Sequence, residues 1–224
     1  MGRAPTVSFD VYSALIDSRR GAGASLERIS RERGWPRDGE ELYVAWDARN
    51  KALHAQADGS ESFRTLAERA MAETLLATGV DDDAAAVTNA LLADVGSWPT
   101  WPDVPEGLAA VAATHPIALL SNIDDDVLAM TDVGHDVTTW ITSQRAGSFK
   151  PARGIYDHAR AVLGDDLIHV PASGRDVYGS LTAGLRVVRV VRPGYPTDPA
   201  GPQPEHQVDD LRDLPAVLRV LGQG

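Results

Sequence analysis

The sequence predicts an α/β fold: a doubly wound, Rossmann-like parallel sheet of about five strands or more, with a helical cap domain inserted after the first strand. Short runs rich in Val, Ile and Leu alternate with helical patterns through the second half of the chain. Such alternation is typical of parallel sheets whose strands are buried on both faces. One similar run opens the chain, and a long helical segment separates it from the next. That segment is the predicted cap.

The predicted strands are short and apolar, whereas the helices between them have the wider spacing of a buried helical face. The strands are residues 6–9, 117–120, 140–142, 167–170 and 187–191. The helices are residues 106–113, 126–130, 154–163, 176–183 and 214–221. Pro and Gly are dense in residues 193–204, which predicts an irregular surface loop.

The segment between the first two strands has helical periodicity throughout. Leu42, Trp46, Arg49 and Leu53 fall on one helical face, and a second apolar face follows within residues 63–70. A Trp- and Pro-rich segment, residues 98–102, then returns the chain to the sheet. We therefore predict a core domain of residues 1–20 and 98–224, and a helical cap domain of residues 21–97.

Composition excludes several classes of function. The chain of 224 residues has a formal net charge of -11, which repels nucleic acids and anionic membrane surfaces. It contains no cysteine, so no disulfide, thiolate nucleophile or cysteine-based metal site is expected. We expect a cytoplasmic protein with neither a nucleic acid nor a membrane as its partner.

Polar side chains follow the predicted strands at the edge where ligands of parallel α/β sheets bind. In chain order they are Asp10, Ser121 with Asn122, Lys150, and Ser173 with Asp176. Two carboxylates, hydroxyls, an amide and an ammonium group meet there. Packing alone does not explain this set, which indicates a reaction site.

Four motifs carry a resemblance to a known family. FDVYSALID, LLSNID, SFKPARGIY and IHVPASGRDVYGSLTAGL occur in this order within the stretch from residue 6 to about residue 192. They resemble motifs of the haloacid dehalogenase superfamily, and within it those of the 2-haloacid dehalogenase branch. The resemblance implies a hydrolase with the fold described above, a small carboxylic acid as substrate and, as in many members, a homodimer.

The resemblance also implies a role for each candidate residue. Asp10 is the expected nucleophile and forms an ester, Lys150 keeps Asp10 ionised, and Asp176 orients Lys150 and helps to activate water. The other implied contacts are Ser121 and Asn122 at the substrate carboxylate, Tyr12 in the apolar wall, Ser173 at the substrate, Tyr156 supporting Lys150, and Arg49 as the nearest match to the family's halide-binding arginine.

Tyr12 and Ala172 differ from the phosphatases of the superfamily, and Ser13 and Ala14 differ from the 2-haloacid dehalogenase pattern. Tyr12 stands where phosphatases of the superfamily carry a second Asp, and Ala172 stands where they carry an acidic metal ligand. Because Mg²⁺ prefers several oxygen ligands, both changes predict chemistry without a metal or other cofactor. Ser13 and Ala14 replace a Gly-Thr pair, which predicts the loss of a hydroxyl group beside the nucleophile.

We predict metal-independent dehalogenation of a small 2-haloalkanoic acid. Three alternatives stay open: ring opening of a strained acid such as azetidine-2-carboxylate, a phosphatase with an atypical metal site, and a catalytically silent binding protein. Asp176 is equally suited to capping a helix. Four histidines lack metal-ligand spacing and are interpreted as structural: His54, His115, His158 and His169.

Overall fold

The computed structural model describes residues 4–222, and within them it contains a six-stranded parallel sheet. The strands are β1 Thr6–Phe9, β2 Ile117–Ser121, β3 Trp140–Thr142, β4 Leu167–Val170, β5 Arg186–Val190 and β6 His206–Val208. The predicted fold class is confirmed. The sequence pattern does not predict β6, because this strand is very short and only Val208 in it is buried.

The strand order, β3-β2-β1-β4-β5-β6, reverses beside β1. The chain builds outward from β1 through β2 to β3 and then crosses back, so that β4 pairs with the other side of β1. Ligands of doubly wound sheets bind in the crevice that opens at such a reversal, beyond the carboxyl ends of the strands. Asp10 follows β1 at this point, and its backbone N–H donates to the carbonyl of Val170 at the end of β4.

Four helices occupy the segment between β1 and β2. They are α1 Ser18–Arg33, α2 Gly39–Gln56, α3 Phe63–Thr78 and α4 Ala84–Ala93. Carboxylate or hydroxyl side chains cap the starts of α2, α3 and α4, and glycines with positive φ end α1 and α3. Since α1 begins at Ser18, the domain boundary predicted after residue 20 falls inside its first turn. We refer to α1–α4 as the cap helices.

The helices that follow the cap helices are mostly short. They are α5 Val104–Ala112, α6 Asp125–Leu128, α7 Asp132–Asp136, α8 Ser143–Ala146, α9 Arg153–Leu163, α10 Gly174–Thr182 and α11 Leu214–Leu221. Single 3-10 turns lie at Val95–Ser97 and Leu211–Asp213. Between residues 4 and 222, no helix is both long enough and apolar enough to cross a membrane.

Two adjacent segments connect the cap helices to the sheet. The outgoing and returning segments form an antiparallel bridge between Ile16 and Thr100, and Trp101 donates its backbone N–H to Leu15. A third connection comes from Asp124, whose carboxylate accepts the backbone N–H groups of Phe63 and Arg64 at the start of α3, each at 3.0 Å. These contacts fix the cap helices over the carboxyl edge of the sheet.

Candidate active site

Asp10 lies at the centre of a buried polar network. It follows β1 directly and is 5% exposed. Its Oδ1 accepts a hydrogen bond of 2.6 Å from Lys150 Nζ, and its Oδ2 accepts one of 2.9 Å from Ser13 Oγ. Both carboxylate oxygens are therefore oriented by donors, which is the arrangement expected of a positioned nucleophile.

Lys150 bridges the two carboxylates of the network. Its Nζ lies 2.6 Å from Asp10 Oδ1, 2.7 Å from Asp176 Oδ2 and 2.8 Å from the carbonyl oxygen of Leu120. An ammonium group has three N–H donors, and these contacts use all of them. Asn122 fixes the backbone of Lys150 by accepting its N–H at 2.6 Å and donating to its carbonyl at 3.0 Å.

Asp176 is the most fully hydrogen-bonded carboxylate of the network. Besides Lys150, it accepts from the Tyr156 hydroxyl at 2.8 Å and lies 3.1 Å from His169 Nε2. His169 is fixed in turn by Ser8, which is its cross-strand neighbour between β1 and β4. The cap of α10 is Ser173 Oγ, which accepts from the Asp176 backbone N–H. The interpretation of the Asp176 side chain as a helix cap is therefore wrong.

The environments of the two carboxylates shift their pKa values in opposite directions. Burial raises the pKa of Asp10 above its ordinary value, although Lys150 and Ser13 oppose that change. Burial alone would also raise the pKa of Asp176. The charges and hydrogen bonds of Lys150 and His169 have the larger effect and lower the pKa of that carboxyl below its usual range. For Lys150, the two carboxylates outweigh burial and raise the pKa, so the ammonium form persists. Carboxylates separated in this way are suited to different roles in one reaction.

A cavity of about 130 Å³ opens beside the network. Its floor contains Asp10, Ser121, Lys150 and Asp176, and its wall is one face of α2. Pockets for drug-sized ligands are typically about 300–1,000 Å³, so this one suits a molecule of only a few heavy atoms. Tyr12 also lines the cavity, with its ring edge-on to Trp98 at a centroid distance of 5.8 Å.

Comparisons with solved structures show what this architecture is similar to. L-2-haloacid dehalogenase from Xanthobacter autotrophicus is 22% identical with a TM-score of 0.83, covering 97% of this chain and 99% of that chain. The same enzyme with chloropropionic acid covalently bound is 23% identical with a TM-score of 0.81, covering 96% and 98%. The chain has the haloacid dehalogenase fold. No protein-family model and no curated protein matches it.

A protein of the same fold binds magnesium, but the site of this chain does not fit that ion. A putative HAD-hydrolase from Bacillus subtilis bound to magnesium is 14% identical with a TM-score of 0.77, covering 97% of this chain and 99% of that chain. In the present chain, Lys150 Nζ lies between the two carboxylates, and Ala172 contributes no oxygen ligand. No group of three or more His, Cys, Asp or Glu suited to a metal occurs within residues 4–222. These residues do not fit Mg²⁺, which prefers several oxygen ligands.

Two residues predicted to contact substrate, Arg49 and Tyr156, do not line the cavity beside Asp10. Arg49 faces away because α2 turns a neighbouring face inward, and its Nη1 donates to the carbonyl of Ala45 one turn earlier. Tyr156, predicted as a substrate-binding residue and as a support for Lys150, is fully buried and bonds Asp176, which in turn bonds Lys150. Tyr12, Ser121, Asn122 and Ser173 do line the cavity. The predicted roles of these four residues in substrate binding stay predictions.

The predicted loss of a hydroxyl group beside the nucleophile is wrong. Ser13 occupies the Gly position of the family pattern, and its Oγ lies 2.9 Å from Asp10 Oδ2. Its backbone has a φ of 84°, a value that glycine adopts more readily than serine. The family pattern does not predict this contact, because it places the hydroxyl one residue later, where this chain has Ala14.

Further cavity residues come from α2 and from the first turn of α10. On α2, residues at helical spacing line one side: Tyr43, Trp46, Asp47, Asn50, Lys51 and His54. The interpretation of His54 as merely structural therefore misses a cavity residue, and His169 belongs to the Asp176 network. Arg175, which also lines the cavity, was detectable because it immediately precedes Asp176 in the last motif.

Proposed function

We propose that this protein is a metal-independent hydrolase in which Asp10 displaces halide from a small 2-haloalkanoic acid. In the first step an oxygen of Asp10 forms a bond to the substrate C2, and the carbon–halogen bond breaks with its electron pair leaving on the halide. Water then attacks the resulting ester, which releases a 2-hydroxy acid and a proton and restores the carboxylate. The observation that carries the proposal is the buried Asp10–Lys150–Asp176 network beside a cavity of about 130 Å³.

The charge arrangement supports a nucleophilic role for Asp10. Removing charged groups from water costs several kcal/mol per ion even when they are paired, so a buried network of three charged side chains is weak evidence for stability alone. Lys150 and Ser13 orient the carboxylate, while Asp176 retains its charge and is available to activate water in the second step. The network therefore favours a catalytic site over a silent binding protein.

Arg175 is a cavity cation that bears on the identity of the leaving group. Arg175 lines the cavity, and none of the carboxylates in residues 4–222 forms an ion pair with it. A guanidinium group there attracts an anion such as a departing halide. Tyr12 and Ala172 likewise disfavour metal-dependent phosphoryl transfer. Halide displacement is thus favoured over phosphatase activity.

The proposal is tested by halide release from both enantiomers of 2-chloropropionate and from chloroacetate, with and without EDTA. We expect release that survives EDTA and falls by at least about 10³-fold in Asp10→Asn. Asp165→Asn, which changes an exposed carboxylate in the same chemical way, is the matched control and should retain activity. Absence of release from all three substrates would overturn the dehalogenase proposal, and azetidine-2-carboxylate would then be tested as the substrate.

A further inference from the structure

Arg175 brings an unpaired cation to the cavity. It lies in the first turn of α10, directly before Asp176, and its Nη1 donates at 2.6 Å to the carbonyl oxygen of Lys51 on α2. Its Nη2 is buried and has no hydrogen-bond partner among residues 4–222. Buried polar atoms are nearly always hydrogen-bonded, so an orphaned guanidinium N–H on a side chain that lines a cavity points to a ligand.

His54 contributes a second unpartnered donor. The Asn122 amide is oriented by its two bonds to the Lys150 backbone, which directs its N–H group towards His54 Nδ1 at 3.4 Å. Because Nδ1 then acts as the acceptor, the proton of the neutral ring resides on Nε2. That Nε2 is buried, faces no partner, and belongs to a side chain that is 6% exposed.

Among the buried polar atoms of the cavity residues that have no partner, donors outnumber acceptors. The hydroxyl of Tyr12 is also buried without a partner, whereas Asn50 Oδ1 is an unpartnered acceptor. Lys150 cannot serve a ligand in this way, because its three N–H donors are already used. Burial, Arg175 and Lys51 lower the pKa of His54 to about 3, which keeps its ring neutral and leaves Arg175 as the cation.

We infer that Arg175 and His54 form a binding subsite for a small monoanion, assisted by the Tyr12 hydroxyl. The sequence predicts no binding role for either residue, and the subsite supplies the cation that the sequence expected from Arg49, which lies outside the cavity. The identity of the anion rests on the proposed function, because a haloacid supplies either its own carboxylate or the departing halide. Both are single negative charges that accept hydrogen bonds from guanidinium and imidazole N–H groups.

The subsite is tested by isothermal titration calorimetry with sodium bromide and sodium propionate, neither of which is turned over. The proteins are the wild type, Arg175→Met, Arg175→Lys and Arg49→Met, all at constant ionic strength. We expect saturable binding to the wild type, a Kd raised about 10-fold or more in Arg175→Met, and partial recovery in Arg175→Lys. Arg49→Met removes a cap arginine outside the cavity and should change the Kd less than about 2-fold.

The two anions distinguish the two sources of charge. Preferential binding of bromide assigns the subsite to the leaving group, and preferential binding of propionate assigns it to the substrate carboxylate. The inference is overturned if neither anion binds the wild type saturably, or if Arg175→Met and Arg49→Met bind alike. Binding does not require turnover, so a protein that binds anions at Arg175 but releases no halide would retain the subsite and lose the proposed function.

Discussion

Ser13 Oγ donates a 2.9 Å hydrogen bond to Asp10 Oδ2 from a backbone conformation with a φ of 84°. The side chain thus supplies a hydroxyl to the proposed nucleophile from a position where glycine is easier to accommodate. Non-glycine residues in the left-handed region cost roughly 1–2 kcal/mol, and such costs cluster at functional sites. The strained backbone of Ser13 is therefore the cost of a hydrogen bond that orients Asp10.

Substitutions of Ser13 separate these two effects. Ser13→Gly and Ser13→Ala both remove the hydroxyl, so we expect both to lower kcat by about 10-fold through loss of one charge-assisted hydrogen bond. Only glycine relieves the backbone, so Ser13→Gly should be more stable than Ser13→Ala by about 1 kcal/mol. Halide-release kinetics and urea unfolding measure the two quantities. Equal stability of the two variants would contradict the argument about φ.

The fall of kcat/KM at low pH should reflect the protonation of Asp10. Only the ionised carboxylate attacks carbon, and burial raises its pKa, so kcat/KM should fall as the pH decreases through a value above the ordinary Asp range. The hydrogen bond from Ser13 favours the ionised form, so Ser13→Ala should move this fall to higher pH. A shift to lower pH, or none, would show that Ser13 does not stabilise the charged form of Asp10.

Asn122 is expected to act by positioning Lys150. Its amide bonds both the N–H and the carbonyl of Lys150, so Asn122→Ala should displace the ammonium from Asp10. We expect kcat to fall about 10- to 100-fold with KM changed less than about 3-fold. Asn89→Ala, which removes an exposed amide bonded to Arg64, is the control. A raised KM with unchanged kcat would instead support the direct substrate contact predicted from the sequence.

Tyr156 is expected to act through Asp176 and not through substrate. Tyr156→Phe removes the donor to Asp176 Oδ1 at 2.8 Å and leaves a buried carboxylate oxygen with one fewer partner. We expect a stability loss of about 1–3 kcal/mol and a lower kcat, with KM nearly unchanged because Tyr156 lies outside the cavity. Tyr178→Phe, on an exposed tyrosine of α10, should change neither quantity. A selective rise in KM would contradict this placement.

Much of the architecture was predictable because it depends on local patterns. The apolar runs locate the central strands to within a residue, and strand order brings Asp10, Lys150 and Asp176 to one edge. Strand β6 was not predictable in this way, because its own sequence is polar and it is recognised as a strand only by its pairing with β5.

The cavity wall was less predictable because it depends on how helices turn. The predicted face of α2 included Arg49, whereas the observed cavity face includes the next residue, Asn50, together with His54. A rotation of one residue, about 100°, moves a side chain from the cavity to the surface. The contact of Ser13 depends on a positive φ that the sequence does not specify.

The central claim is that Asp10 forms an ester, and a single turnover in H₂¹⁸O tests it most directly. With enzyme in excess over 2-chloropropionate, the hydroxyl oxygen of the first lactate comes from Asp10 if water attacks the ester at its carbonyl carbon. We predict unlabelled lactate in that turnover and ¹⁸O in the peptide that contains Asp10, both measured by mass spectrometry. Lactate labelled in the first turnover, with an unlabelled peptide, would contradict the account because the hydroxyl oxygen would then come from water and not from Asp10.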